Sequence, residues 1–165
     1  MRKLSVVCLT LSLLLLLLPS GAYAAVQNVT ASVYPLTPGA ASEYTIGFYT
    51  SGSGALEGGE DRIEIEFPTG TAIPSNIGSD KIYINGKSVS SSYIYISDNV
   101  LTLRLPSGLD IDGGEFVGIV IPQTAGIKLP LRGGIYSLII STTNDGDGES
   151  NTFSVAGTMI TNLEF

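Results

Sequence analysis

The amino-acid sequence predicts an all-β domain of about nine short strands packed as two facing sheets. Three observations carry that expectation. Apolar and polar residues alternate with a period of two through most of the chain beyond residue 24, which turns one side of each segment toward a core and the other toward water. Gly-Gly, Asn-Gly and proline punctuate those runs every few residues, as turns between strands require. No stretch combines helical spacing of apolar residues with capping residues at its ends.

The first alternating run holds Val29, Ala31 and Val33, with Thr30 and Ser32 between them, and the second holds Tyr44, Ile46 and Phe48. Ile63, Ile65 and Phe67 follow, separated by Glu64 and Glu66. Ile82 and Ile84 flank Tyr83, and Asn85-Gly86 follows them. That dipeptide is a strong hairpin signal, because a type I′ turn needs positive φ at both central residues. Ile94 and Ile96 alternate with Tyr93 and Tyr95, and Ser97-Asp98-Asn99 turns that run into Leu101, Leu103 and Leu105. Phe116–Ile121 and Ile135–Ile140 lack a clean polar side and are expected as central strands or strands covered on both faces. Thr152–Val155 makes a last short strand. Pro68, Pro106 and Pro122 each end a run, since proline cannot donate to a ladder.

A weak internal echo runs through this pattern. Gly58-Gly59-Glu60, a strand to Phe67-Pro68 and then Ile73-Pro74 are matched by Gly113-Gly114-Glu115, a strand to Ile121-Pro122 and then Leu129-Pro130. Equivalent strands in two facing sheets would produce it, and so would ordinary sandwich punctuation. Many short strands, regular turns and no helix together amount to an immunoglobulin-like β-sandwich over residues 25–157, without the Cys…Trp…Cys core of antibody domains.

The two ends of the chain differ from this body. Arg2 and Lys3 precede an apolar run from Leu4 to Leu18, Pro19-Ser20-Gly21 breaks it, and Ala22-Tyr23-Ala24 forms a small-x-small site. Residues 1–24 are therefore expected to be a secretory signal peptide. The run is shorter than the roughly 18–20 residues that span a bilayer as a helix. Cleavage near Ala24 leaves a mature chain with no transmembrane segment, secreted or held at the cell envelope. Residues 158–165 are expected as a C-terminal extension or an edge strand.

Composition narrows the chemistry. Cys8 is the single cysteine and lies inside the leader, so the mature chain has neither thiol nor disulfide and must be held by its core. There is no histidine and no tryptophan. That removes Ser-His-Asp and Cys-His catalysis and every metal site built on imidazole or thiolate; a metal here would be oxygen-bound calcium or magnesium. Loss of Arg2 and Lys3 leaves six cationic against fifteen acidic residues, a net charge of −9. Such a chain repels phosphate backbones and anionic lipid, so no nucleic-acid partner is expected.

Five groups of residues invite a chemical reading. Asp145, Asp147 and Glu149 alternate with glycines in Asn144–Glu149, an arrangement of hard oxygens that suits calcium, although the spacing and flanking helices of an EF-hand are missing. The competing reading is a solvated hairpin turn. Asp110–Glu115 is a second acidic turn. Tyr83, Tyr93 and Tyr95 share one sheet face if the neighbouring isoleucines point inward, and such a platform stacks on sugar rings or protein partners; the alternative is cross-strand pairing within the sheet. Glu64 and Glu66 share the outer side of one strand. Nothing in the sequence suggests the cleft that a carboxylate pair needs for acid–base work on a glycosidic bond, and Arg62 or Arg104 would neutralise them. Asn28-Val29-Thr30 fits the N-glycosylation pattern, which the bacterial style of the chain discounts.

The ordered blocks Val33-Tyr34-Pro35-Leu36-Thr37-Pro38-Gly39-Ala40, Glu43–Phe48, Leu56–Glu60 with Ile63–Pro68, Ile82–Gly86 and Val100–Pro106 resemble Ig-like modules of bacterial surface and S-layer-associated proteins. The resemblance spans roughly Val26 to Val155 and rests on structural motifs. It implies a structural or adhesive module of the cell surface or extracellular space, with a cell-surface protein or polysaccharide as partner and no catalytic residues. A calcium- or carbohydrate-binding module is the alternative function. No enzymatic activity and no cofactor other than calcium is expected.

Overall fold

The computed structural model describes residues 24–157. Residues 1–23, nearly the whole expected leader, and residues 158–165, the expected C-terminal extension, lie outside them. Twelve strands are present among the described residues: β1 (Gln27–Tyr34), β2 (Glu43–Tyr49), β3 (Arg62–Glu66), β4 (Tyr83–Ile84), β5 (Lys87–Ser88), β6 (Ile94–Ser97), β7 (Val100–Arg104), β8 (Phe116–Ile121), β9 (Gly134–Tyr136), β10 (Ile139–Thr142), β11 (Gly148–Glu149) and β12 (Phe153–Val155). Single 3-10 turns at Ser91–Tyr93 and Gln123–Ala125 are the helical elements described. No described helix is long and apolar enough to cross a membrane.

The strands form two five-stranded sheets, ordered β1-β2-β8-β4-β5 and β11-β10-β3-β7-β6, and a small β12-β9 pair; every pairing between named strands is antiparallel. Period-two alternation survives in the burial of β1, β3 and β7. Tyr44, Ile46, Phe48, Ile84 and Ile119 from the first sheet and Ile63, Ile65, Leu101, Leu103 and Ile140 from the second are all buried in one core. Asn85 and Gly86 have φ of 47° and 77°, the positive pair that a type I′ hairpin demands.

Nine expected strands become twelve for two reasons. β5 and β11 are two-residue segments with no periodicity of their own. The apolar run Ile135–Ile140 does not make one covered strand. It breaks at Ser137-Leu138, where the Leu138 N–H donates to Ser150 Oγ (2.9 Å) and its carbonyl accepts from Ser150 N (2.9 Å). The halves then join different sheets as β9 and β10, and Ile135 is left in water. Phe116–Ile121 fares as expected: β8 is the middle strand of its sheet.

The internal echo has a structural counterpart. β3 and β8 are the middle strands of the two sheets. Each follows a Gly-Gly turn whose second glycine, Gly59 or Gly114, has φ near +80° (83° and 81°). Leu56 and Ile111, at equivalent positions before the two turns, pair directly through reciprocal backbone hydrogen bonds of 2.8 and 3.0 Å.

One core residue is polar without a partner. Tyr44 is fully buried and stacks edge-on against Phe67 with ring centroids 5.2 Å apart, but its hydroxyl makes no hydrogen bond. Burial raises the phenol's pKa well above its ordinary value, because the charged form is denied water. Tyr44→Phe keeps the ring and removes the stranded hydroxyl, so it is expected to raise stability by about 1 kcal/mol. The folded pKa exceeds the unfolded one. The neutral phenol's contribution is thus complete below about pH 10 and is lost as pH climbs toward the folded value. Urea unfolding at pH 8 and pH 11 checks both points: the variant should be the more stable at each, with the larger margin at pH 11.

Candidate functional site

The acidic loop is a structural joint. β10 and β11 form a hairpin around it, with Ile139 opposite Glu149 and Ile140 opposite Gly148. Asp145 is buried, and its carboxylate accepts the Ser51 backbone N–H at 2.8 Å and the Ser51 hydroxyl at 2.5 Å. Gly54 lies so close to that carboxylate that a Cβ there would overlap it. Asp147 is exposed, and Glu149 accepts the Ser137 hydroxyl at 2.6 Å. The three acids therefore face different surroundings, and no cluster of three or more metal-ligating side chains occurs among the described residues. The backbone of the same loop pairs with the start of the domain, Gly146 N–H donating to Ala24 O (2.8 Å) and Val26 N–H to Gly146 O (3.1 Å). The second acidic turn is likewise structural: Asp110 Oδ1 accepts the Gly58 N–H at 2.9 Å and Asp112 N–H donates to Glu115 Oε2 at 3.3 Å.

The expected tyrosine platform is corrected by the topology. Tyr83 belongs to β4 in the first sheet and donates to the Asp80 carbonyl at 3.1 Å. Tyr93 and Tyr95 flank and enter β6 in the second sheet. Period two fixes which face of a strand a residue takes; it does not say which sheet the strand joins. Tyr93 and Tyr95 remain together, and each meets an arginine: Arg104 Cζ lies 5.1 Å from the Tyr93 ring centroid and Arg62 Cζ 5.9 Å from that of Tyr95. Glu64 and Glu66 stand exposed on the open outer face of β3, near Thr102 Oγ1 (3.5 Å) and Asn99 Nδ2 (3.4 Å). The arginines expected beside them lie over the tyrosines.

No periodicity or motif pointed to the surface that stands out most. The connections 35–42, 67–73 and 127–133 meet at one end of the sandwich, where Lys128 bridges both Ala41 and Ala72. Tyr34, Leu131 and Ile135 at this end are 79, 78 and 74 % exposed. Leu131 packs over Gly39, and Tyr136 with Pro130 and Leu131 lines a largely apolar hollow of about 380 Å³. Ala156 N–H donates to Leu36 O (3.4 Å), which brings the β9-β12 pair carrying Ile135 to the same place. The opposite end is anionic. Glu57, Asp61, Asp110 and Asp112 rim a shallow hollow there beside Asn144.

No protein-family model matches the chain, and no curated protein matches it either. Among solved structures, the crystal structure of BslA, a bacterial hydrophobin, superposes with a TM-score of 0.52 at 14% identity, over 82% of this chain and 97% of that one. A family GH18 chitinase from Chromobacterium violaceum aligns with a TM-score of 0.33 at 15% identity, over 83% of this chain and 19% of that one, too loosely to bear on fold or function. The likeness to BslA is one of fold: an all-β sandwich of that overall shape.

Proposed function

We propose that this chain is an exported, non-enzymatic structural or adhesive module with an immunoglobulin-like sandwich, acting at the bacterial cell surface or in the extracellular space by seating its apolar end on a hydrophobic boundary. The observation that carries this is the trio Tyr34, Leu131 and Ile135 standing in water at one end while Glu57, Asp61, Asp110 and Asp112 crowd the other. Burying one such apolar side chain is worth roughly 1.5–3 kcal/mol, and contiguous exposed apolar surface marks contact sites. Tyr49 and Phe116 are also partly exposed, at the far end of β2 and β8, but carboxylates crowd that end and hold it in water, so the body takes one orientation at an interface. Its apolar end leaves water and its carboxylates stay hydrated. The hydrophobin identity of BslA, which shares the fold, supports the same direction. The order of charge, apolar run and small residues in 1–24 supports export.

Pendant-drop tensiometry at an oil–water boundary tests the reading. The purified secreted protein is expected to lower the tension and to form a persistent layer. The triple variant Tyr34→Ser, Leu131→Ser, Ile135→Ser is expected to lose most of that activity. Its melting temperature should stay close to the parent's, because exposed side chains contribute little to the core. A folded triple variant as surface-active as the parent overturns the proposal.

A further inference from the structure

We infer that the arginine–tyrosine strip at β6 and β7, with the serine-lined hollow beside it, is a binding site for a carboxylate-bearing polysaccharide. Beyond residue 24 the chain has six cationic residues, and three of them gather here. Arg62 and Arg104 are directly opposite each other across β3 and β7, a like-charge pair that ordinarily destabilises a sheet. Lys87 joins them through Tyr93: Lys87 Nζ donates to Ser107 O at 2.7 Å, and Ser107 Oγ lies 3.2 Å from the Tyr93 hydroxyl. On a protein with a large acidic excess, this concentrates positive charge where an anion would dock.

The arginines are held ready for one. Each guanidinium lies over a tyrosine ring. The cation–π attraction restrains each head group, and a guanidinium so placed can meet a carboxylate through its terminal nitrogens, the two-pronged contact that suits its planar fork. Arg104 Nε is buried and has no hydrogen-bond partner among the described residues, so the terminal nitrogens of that guanidinium are the ones that would meet a carboxylate. The hollow alongside, about 300 Å³, is lined by Lys87, Ser88, Ser90, Ser92, Tyr93 and Ser107. Hydroxyls that both donate and accept match the hydroxyls of a sugar, which favours an acidic saccharide over an acidic protein surface. Glu64 shares the sheet face, two residues along β3 from Arg62, and lies beside Thr102.

Isothermal calorimetry with polygalacturonate and with neutral dextran, in EDTA so that calcium cannot bridge two polyanions, tests this on the full secreted protein. Polygalacturonate should bind, more weakly as salt rises, and dextran should not. Arg62→Gln with Arg104→Gln should weaken binding at least tenfold, while Leu131→Ser with Ile135→Ser leaves it unchanged, so the result is independent of the interfacial proposal. If the double arginine variant does not fold, Lys87→Gln with Tyr95→Ala serves instead, since both side chains are exposed; a loss of several-fold is expected. No binding by the parent, equal binding of dextran, or binding indifferent to the cations overturns the site. So does sedimentation showing that the strip joins one copy to the acidic end of another and that polygalacturonate does not compete.

Discussion

Asp145→Ala is expected to destabilise the protein by about 3 kcal/mol, because hydrogen bonds to a charged group are worth roughly 1.5–3 kcal/mol each and a stranded buried donor adds its own cost. The carboxylate is out of water and takes both the N–H and the hydroxyl of Ser51. Truncation leaves the Ser51 amide without an acceptor and unties loop 51–54 from the β10-β11 connection. Asp145→Asn retains one acceptor oxygen and should lose about half as much. Gly54→Ala attacks the same joint from the other side, since its new Cβ overlaps the carboxylate, and the double variant should fall short of the sum because the two act on one network. Urea midpoints measure all four, and Asp145→Ala unfolding with the parent would refute the role. A carboxylate already engaged by Ser51, with Asp147 and Glu149 turned elsewhere, also predicts that millimolar calcium leaves the parent's melting temperature unchanged; a rise of several degrees would return the loop to the calcium reading.

The parts of the fold that were legible in the sequence are those that local chemistry determines. Val29, Ala31, Val33 and Ile63, Ile65, Phe67 face inward because alternation admits one burial pattern. Asn85-Gly86 turns as its φ preferences require. The Gly-Gly echo falls on equivalent strands of the two sheets, β3 and β8. What stayed hidden depends on partners far along the chain. Ile135 and Ile140 belong to one apolar run, yet Ser150 splits it and sends one residue to water and the other to the core. Tyr83 and Tyr95 have matching neighbourhoods in sequence and end up in different sheets. Asp145 looks like a ligand because its glycine-rich surroundings suggest an open loop, and Ser51, 94 residues away, makes it a joint. The apolar end was illegible for the same reason. Exposure of Leu131 follows from which loops meet at that end, and no periodicity records that.

Those long-range constraints also decide how an edge of the sandwich is closed, and Asn151→Ala should expose that device with a loss of about 1–2 kcal/mol, two hydrogen bonds at a partly wet site. β1 is an edge strand of its sheet, with a register shift between Gln27 and Thr30. The amide of Asn151 acts as one detached peptide unit against it: Oδ1 accepts the Ala31 N–H at 2.7 Å and Nδ2 donates to the Ala31 carbonyl at 3.1 Å. It also tethers the start of β12. A sheet edge with free donors and acceptors invites pairing with another chain, so the variant should associate more readily as well as melt earlier. Asn151→Asp separates the two bonds, retaining an acceptor for the N–H while setting negative charge against the carbonyl, and should fall between the parent and Asn151→Ala. Hydrogen exchange gives the residue-level readout. The Ala31 amide should lose protection in Asn151→Ala, while Ser32, whose amide turns to β2 on the opposite side of the strand, keeps its own. Equal protection of Ala31 in parent and variant would show that Asn151 does not close this edge.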